Sequence, residues 1–377
     1  MEILGFIQQY IVHFLIFLTI LVFVHELGHY ALAKRNGVRV EIFSIGFGPE
    51  LFGYTDRSGT RWRISAVPLG GYVKMFGDSN AASMPGEELR ELTPAERAVS
   101  FHHKSVGQRA AIVVAGPAAN YVFAILLMTG LFAVYGEPFT PALVGEIVPG
   151  GAAAQAGLQS GDVVVRLDGR QVHRFEDIQA LVRVSPGKTM DITVERSGHA
   201  ENFKITPSRV VETDVFGNHL AIGLLGIKGG APVFRRLSPL DAALTASSQA
   251  VSLSWDMLSA VGQMLIGARS ADELGGPVAI ATMSGKVSEL GFEHMIWFMV
   301  LLSLNLGLVN LFPVPMLDGG HLAFYAVEAA TGRPLGQRAQ EWGFRIGFAL
   351  VLSLVLFVTW NDISKLPVAE FIRGLLS

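Results

Sequence analysis

Long apolar stretches alternate along this chain with polar segments that carry most of its charge. A bilayer core about 30 Å thick needs about 20 apolar residues in a helix, so long windows without Asp, Glu, Lys or Arg mark candidate spans. Four such windows occur: Ile3–Val24, Ala110–Tyr135, Met295–Leu317 and Ile346–Trp360. The pattern therefore predicts a polytopic α-helical membrane protein with four transmembrane helices.

A fifth stretch, Ala243–Ala268, contains a single charged residue, Asp256. It is rich in Ser and Gln and is therefore less apolar than the four windows. We expect an amphipathic helix at the membrane surface rather than a fifth span.

The polar segment between the first two windows alternates apolar and polar residues through Val38–Phe52 and Trp62–Met75, with glycines as breaks. This pattern predicts short antiparallel strands next to the membrane. Two interpretations stay open. The strands form a small solvated sheet, or they present a sheet edge that pairs with an extended peptide.

The segment between the second and third windows has strand patterns at Leu143–Val148, Val163–Leu167 and Met190–Glu195, and a helix pattern at Arg174–Arg183. The run from Ala156 to Gly169 resembles PDZ domains of bacterial envelope proteases, so we expect an inserted α+β PDZ domain. Such domains bind chain ends or strands at a sheet edge. The ligand loop would lie in the last strand, His219–Leu225, at Ala221, Ile222, Gly223 and Leu224. A packing or size-excluding role is the alternative.

No basic residue precedes the first window, whereas Lys34, Arg35, Arg39 and others lie between the first two windows, which places that segment in the cytoplasm by the positive-inside rule. Both termini and the PDZ domain would then lie outside. The predicted segments are 1–30 (first span), 31–106 (cytoplasmic β region), 107–136 (second span), 137–228 (PDZ domain), 229–292 (amphipathic region), 293–318 (third span with a metal ligand), 319–341 (cytoplasmic loop), 342–361 (fourth span) and 362–377 (outer tail).

Composition narrows the chemistry. Half of the residues are apolar, 16% are charged and none is Cys, so disulfides, thiolate metal sites and a cysteine nucleophile are excluded. A net charge of -3 without a basic stripe argues against nucleic acid as a partner. Any metal site must use His, Asp or Glu.

Candidate chemistry lies at the inner end of the first window, in His25-Glu26-Leu27-Gly28-His29. On a helix, positions i and i+4 share one face, so both imidazoles can bind one zinc ion beside Glu26. Zinc activates water for peptide hydrolysis, with the carboxylate as general base. Polar residues next to an apolar span are expensive unless they are functional. A helix end that only marks the membrane interface is the alternative.

A catalytic zinc needs a third protein ligand and one open position. The metzincin pattern would place Gly and His where this chain has Leu32 and Arg35, which excludes that class. Asp318 is the other lone acid next to a span, and Pro313 and Pro315 break the helix just before it. We therefore expect Asp318 to be the third ligand.

Several motifs together resemble the site-2 protease family, and more closely its regulator-of-sigma-E branch. Besides HExxH, they are Gly46-Phe47-Gly48-Pro49, Pro68-Leu69-Gly70-Gly71-Tyr72, Gly116-Pro117-Ala118-Ala119-Asn120, the PDZ run and the stretch from Asn310 through Pro313 to Asp318-Gly319. The resemblance covers nearly the whole chain in order. One difference is that the outer segment shows one PDZ copy where the best-known relatives have two.

The resemblance implies His25, His29 and Asp318 as ligands of one Zn²⁺ per chain and Glu26 as general base. Asn310 and Asn120, with Gly70 and Gly71, would contact substrate, although hydrogen bonding between helices is an alternative for the two asparagines. It also implies a bacterial inner-membrane enzyme that cuts transmembrane segments of other membrane proteins, such as trimmed anti-sigma factors in envelope stress or leftover signal peptides. The competing hypotheses are a membrane-anchored protease of soluble chains and an inactive PDZ scaffold.

Overall fold

The computed structural model describes residues 10–78, 92–213, 219–231, 233–267, 270 and 274–364. The chain divides into two compact units. Residues 1–129, 243–258 and 272–377 form the membrane unit, and residues 130–242 and 259–271 form the inserted unit.

The helices with more than five residues are α1 (Val12–Arg35), α2 (Pro94–Val99), α3 (Val106–Val134), α5 (Phe175–Arg183), α6 (Pro239–Leu265), α7 (Pro277–Glu289), α8 (Phe292–Asn310), α9 (Asp318–Thr331) and α10 (Gln337–Ser364), and α4 (Ala152–Ala156) is a single turn. The strands are β1 (Val40–Thr55), β2 (Arg61–Met75), β3 (Glu137–Phe139), β4 (Val144–Ile147), β5 (Val163–Leu167), β6 (Arg170–Gln171), β7 (Met190–Arg196), β8 (His199–Ile205), β9 (Ser208–Thr213), β10 (His219–Leu224), β11 (Ile227–Gly229) and β12 (Val233–Arg235).

Four helices, α1, α3, α8 and α10, are long and apolar enough to cross a membrane. Each contains or overlaps one predicted window, but two boundaries differ from the prediction. Helix α1 continues past the apolar window to Arg35, because its last turns pack against α3 and the strands. Residues 3–9 of the first window lie outside the described residues.

The predicted third span ends earlier than expected. Helix α8 stops at Asn310, and α9 starts at Asp318, so Asp318 lies at the start of a new helix rather than in the span. The break follows from Pro313 and Pro315, which lack the N–H that a continuing helix needs. The segment predicted as a cytoplasmic loop, 319–341, is also largely helical, because α9 and the start of α10 lie there.

Strands β1 and β2 form a hairpin that bends back on itself. Residues 42–45 pair with 71–74 on one side and with 61–64 on the other, while 52–55 also pair with 61–64. The bend passes through Gly46 and Gly48, whose φ angles of +87° favour glycine. The predicted antiparallel strands therefore form four short sheet segments, with 71–74 at one edge.

Aromatic packing fixes this hairpin to the end of α1. The Phe43 and Trp62 rings stack with centroids 4.3 Å apart, and Tyr30 of α1 packs edge-on against both. In the turn, Asp56 accepts hydrogen bonds from the Trp62 indole at 3.0 Å and the Tyr30 hydroxyl at 3.3 Å. The sheet is thus held at a defined height along α1.

The inserted unit agrees in its elements with the predicted PDZ domain. A four-stranded sheet in the order β6-β5-β7-β8 packs against α5, and the predicted helix and strands recur within one or two residues. Arg196 donates to both carboxylate oxygens of buried Asp162 at 2.7 Å, and this contact lowers the Asp162 pKa. Strand β11 pairs with β4 and ends at Gly229, and β12, which follows it, pairs with β3.

Helix α6 corresponds to the predicted amphipathic stretch. It is absent from the four candidate spans found among the described residues. The Tyr121 hydroxyl of α3 lies 2.9 Å from the Ser254 hydroxyl of α6. This contact is near the middle of both helices, so α6 packs along α3 at that level. Its interfacial position stays a prediction.

Candidate functional site

The two histidines of α1 meet Asp318 in the membrane unit. His25 Nε2 and His29 Nε2 are 3.2 Å apart, and Asp318 Oδ2 lies 3.2 Å from the first and 3.5 Å from the second. Both histidines are buried, with 8% of their surface exposed. The helical spacing of four residues and the break before α9 together produce this cluster.

The donor set fits a metal cation. His29 Nδ1 lies 2.9 Å from the Ile112 carbonyl oxygen, which can only accept a hydrogen bond, so the ring proton is on Nδ1 and Nε2 presents a lone pair. Asp318 Oδ2 is buried and has no hydrogen-bond partner in the described structure. The lone pairs of His29 Nε2 and Asp318 Oδ2 face each other at 3.5 Å and repel unless a proton or a metal cation lies between them. Catalytic zinc typically has three protein ligands, drawn from His and carboxylate side chains, and one coordination position left open.

Helix α3 lines the other side of the imidazoles. Ile112, Gly116 and Asn120 are spaced by four residues and therefore share one face of the helix. A Cβ at Gly116 would overlap His29 Nε2 and would lie 2.9 Å from His25 Cε1. The missing side chain is what makes room for both rings.

Glu26 lies beside the cluster and lines a cavity of about 590 Å³ together with His25, His29 and Asp318. Val73 of β2 lines the same cavity. A Cβ at Gly71 would lie 3.2 Å from Glu26 Cγ and 2.7 Å from a Val22 methyl. Glycine at this position allows β2 to pass directly over α1.

The same cavity contains most of the predicted substrate-contact residues. Gly70, Gly71 and Asn310 line it, together with Leu69, Tyr72 and Val73. Among the described residues, 71–74 pair with β1 on one side only, so their other edge is open. The contact of these residues with substrate stays a prediction.

Asn120 occupies a different position from the one predicted. Its side chain is fully buried and is not among the residues that line the cavity. Its Nδ2 lies 3.1 Å from His25 Nδ1, and its backbone carbonyl accepts a hydrogen bond from Ser303 at 2.8 Å. As placed, Asn120 contacts a candidate metal ligand rather than the space open to substrate.

The inserted unit has a groove of its own between α5 and β10. It has a volume of about 220 Å³ and is lined by Ile222, Gly223 and Leu224 from the predicted ligand loop, with Ile178 and Val182 from α5. Ala221 lies on the same strand, but its side chain is outside the described part of the chain. Peptide binding in this groove stays a prediction.

Comparison with known proteins identifies the family. The model of peptidase family M50 matches residues 13–354. The chain belongs to this family. This confirms the predicted membership of the site-2 proteases, and the chain is a zinc metalloprotease by family. Family membership indicates zinc as the metal, whereas the geometry of the site indicates His25, His29 and Asp318 as its ligands.

Several proteins are similar over nearly the full length. A protein of Agrobacterium fabrum, named as a candidate zinc metalloprotease, is 45% identical over 96% of this chain and 97% of its own. Metalloprotease MmpA of Caulobacter vibrioides is 38% identical over 99% of this chain and 100% of its own. A PDZ domain from Listeria monocytogenes covers 25% of this chain and 90% of its own, at 18% identity and a TM-score of 0.19.

One feature of the site is absent from the sequence interpretation. The Ile112 carbonyl orients His29. It is a backbone group, which no residue type marks. The sequence interpretation includes Gly116 in a motif but gives it no role. The sequence signal for a role is a Gly-Pro pair inside an apolar span.

Proposed function

We propose that the protein is an intramembrane zinc endopeptidase that hydrolyses peptide bonds within transmembrane segments of other membrane proteins. The observation that carries this proposal is the position of the site. His25 and His29 lie on candidate span α1, Asp318 follows candidate span α8, and Glu26 lines the same cavity. A protease of soluble chains has no need for its ligands on helices of this kind.

In this proposal His25, His29 and Asp318 bind one zinc ion. Zinc in such a site lowers the pKa of a coordinated water to about 7 and polarises the scissile carbonyl. Glu26 accepts the proton of the attacking water and delivers it to the leaving nitrogen, so that the C–O bond forms and the C–N bond breaks.

The open strand edge offers a way to hold the substrate. The carbonyls of a helical substrate are occupied by hydrogen bonds within the helix, so the segment has to unwind before it is cut. The free edge of residues 71–74 lines the cavity and can replace those hydrogen bonds by pairing with the extended chain.

The hairpin also exposes large apolar side chains, and such a surface is suited to contact with lipid. They are Phe47, Leu51, Phe52, Ile64, Val67 and Leu69.

The first prediction tests where this enzyme cuts. Purified protein in lipid vesicles is given a single-span membrane protein with long polar flanks, and mass spectrometry locates the cleavage. We expect cuts inside the span, which a zinc chelator stops and added zinc restores. Cleavage confined to the flanks would instead support a membrane-anchored protease of soluble chains. Zinc binding without any cleavage would support the scaffold hypothesis.

The second prediction concerns topology. Helices α1 and α8 pack together through Phe17, Leu21 and Met299 and both run toward the ligand cluster, so their N-terminal ends should lie on the same side. Helix α7 has 13 residues and is about 20 Å long, too short to return the chain across 30 Å if α6 crossed alone. We expect reporters fused at Gly230 and Leu290 to be external and one at Arg333 to be cytoplasmic. Opposite sides for the first two would contradict this.

The resemblance suggests further partners within the same proposal. Trimmed anti-sigma factors and remnant signal peptides are the substrate classes, the bacterial inner membrane is the location, and the groove between α5 and β10 receives chain ends. The groove lining of Ile178, Val182 and Ile222 is apolar, which supports recognition of apolar peptide side chains.

A further inference from the structure

The face of α3 that meets the two histidines contacts both imidazoles on the side away from Asp318. Ile112 contacts His29 Nδ1 through its backbone carbonyl, and Asn120, two turns later, contacts His25 Nδ1 through its side chain. Gly116 lies between them and leaves space for the rings. Each proposed ligand on α1 therefore has one partner on α3, at the ring nitrogen that does not face Asp318.

The Asn120 amide has one unsatisfied atom. Its Nδ2 lies 3.1 Å from His25 Nδ1, whereas its Oδ1 is buried and has no hydrogen-bond partner in the described structure. With Nδ2 donating, His25 Nδ1 is an acceptor and the proton of the neutral ring is on Nε2. That tautomer has no lone pair at Nε2, the atom that faces Asp318.

Metal binding requires the other tautomer. When His25 binds a cation through Nε2, its proton moves to Nδ1, and the group 3.1 Å away has to accept it. A rotation of the Asn120 amide by 180° about its Cβ–Cγ bond exchanges Nδ2 for Oδ1. The buried Oδ1, which has no partner as placed, then accepts the hydrogen bond from His25 Nδ1–H.

The geometry points to Asn120 as a positioning residue that holds His25 with Nε2 free for zinc, as the Ile112 carbonyl does for His29. The inference rests on the proposed ligand set and extends it to a partner outside the cavity. Asn120 does not contact substrate in this role. It acts through the ring that it orients.

The test measures zinc affinity by competition with a chelator, in purified full-length protein. Partners of metal ligands typically contribute 10- to 100-fold to affinity. We expect Asn120→Leu and Asn120→Ala to bind zinc about 10- to 100-fold more weakly than the wild type. Asn120→Asp keeps an acceptor oxygen at the same distance and should restore affinity to within about threefold of the wild type. Thermal unfolding of the metal-free variants shows whether each one folds.

The matched control is Ser303→Ala. It removes the hydrogen bond to the Asn120 backbone carbonyl but touches neither imidazole, so zinc affinity should stay unchanged. Histidine ¹⁵N spectra of the zinc-loaded wild type should show His25 protonated at Nδ1. The Nδ1–H signal should shift in Asn120→Leu, which removes the acceptor of this proton, and should not shift in Ser303→Ala.

Three outcomes would overturn the inference. They are unchanged affinity in Asn120→Leu, equal losses in Asn120→Leu and Asn120→Asp, and a His25 Nδ1–H signal of the zinc-loaded protein that is the same in Asn120→Leu as in the wild type. Failure of the proposed ligand set gives a different result. In that case the His29→Ala variant would bind zinc as tightly as the wild type. The two failures are therefore distinguishable.

Discussion

The Glu26→Gln variant is expected to bind one zinc ion per chain and to lose peptide hydrolysis. Gln has the shape of Glu and fits the same space, but its amide does not accept the proton of the attacking water. Loss of a general base typically costs 10²- to 10⁴-fold in rate, and Glu26 is proposed to serve in both proton transfers. We therefore expect a loss at or above the upper end of this range, measured by cleavage of the span substrate.

The matched control for this variant is Glu41→Gln. Glu41 lies on β1, pairs with Lys74 at 3.0 Å and does not line the cavity. It should keep near-wild-type cleavage, since exposed ion pairs contribute little. Zinc content is measured on both variants. A Glu26→Gln enzyme that retains more than about a tenth of the wild-type rate, against the losses usual for a general base, would remove Glu26 from the mechanism.

The parts of the site that the sequence predicts depend on local rules. The spacing of His25 and His29 places them on one helix face wherever the helix lies, and Pro313 and Pro315 together favour a helix end. The cost of an acid next to lipid singled out Asp318. The structure brings these three side chains together from two distant segments, with Asp318 Oδ2 within 3.5 Å of both imidazoles.

The parts that the sequence does not predict depend on tertiary packing. A backbone carbonyl such as that of Ile112 exists at every residue, so only the approach of α1 to α3 selects it as the partner of His29. The bend in β1 and β2 is also not predicted from the sequence. Alternation of apolar residues indicates which face of a strand is buried, but it does not give the number of sheet segments. Helix α9 lies in the segment predicted as a cytoplasmic loop between two spans, because the search for long apolar windows does not detect a helix of 14 residues.

The close approach of α1 and α3 is also visible at a second glycine. A Cβ at Gly28 would overlap the Ala115 carbonyl oxygen and would lie 2.8 Å from the Ala119 side chain. Small residues on both helices therefore allow the backbones to touch, as is common where helices associate in membranes. Moving the two helices apart would break this contact. A side chain added at Gly116 is therefore expected to displace the imidazoles instead.

This leads to the expectation that Gly116→Ala abolishes zinc binding. The added methyl would occupy the position of His29 Nε2 and press on His25 Cε1, and the His29 ring could move only by breaking its hydrogen bond to Ile112. Since loss of a ligand's partner alone costs up to about 100-fold in metal affinity, displacement of the ligating atom should cost more. Chelator competition measures this loss directly.

Gly107→Ala in the same helix separates displacement from helix effects. A Cβ at Gly107 meets nothing within 4 Å, so this variant should bind zinc like the wild type. Gly to Ala in a helix interior is intrinsically favourable by roughly 0.5–1 kcal/mol, so neither substitution weakens α3 itself. A loss at Gly116 that is absent at Gly107 can then arise only from the contact with the imidazoles. If Gly116→Ala keeps one tightly bound zinc per chain, the two rings do not hold the metal at the place where α3 meets α1, and the ligand set has to be assigned again.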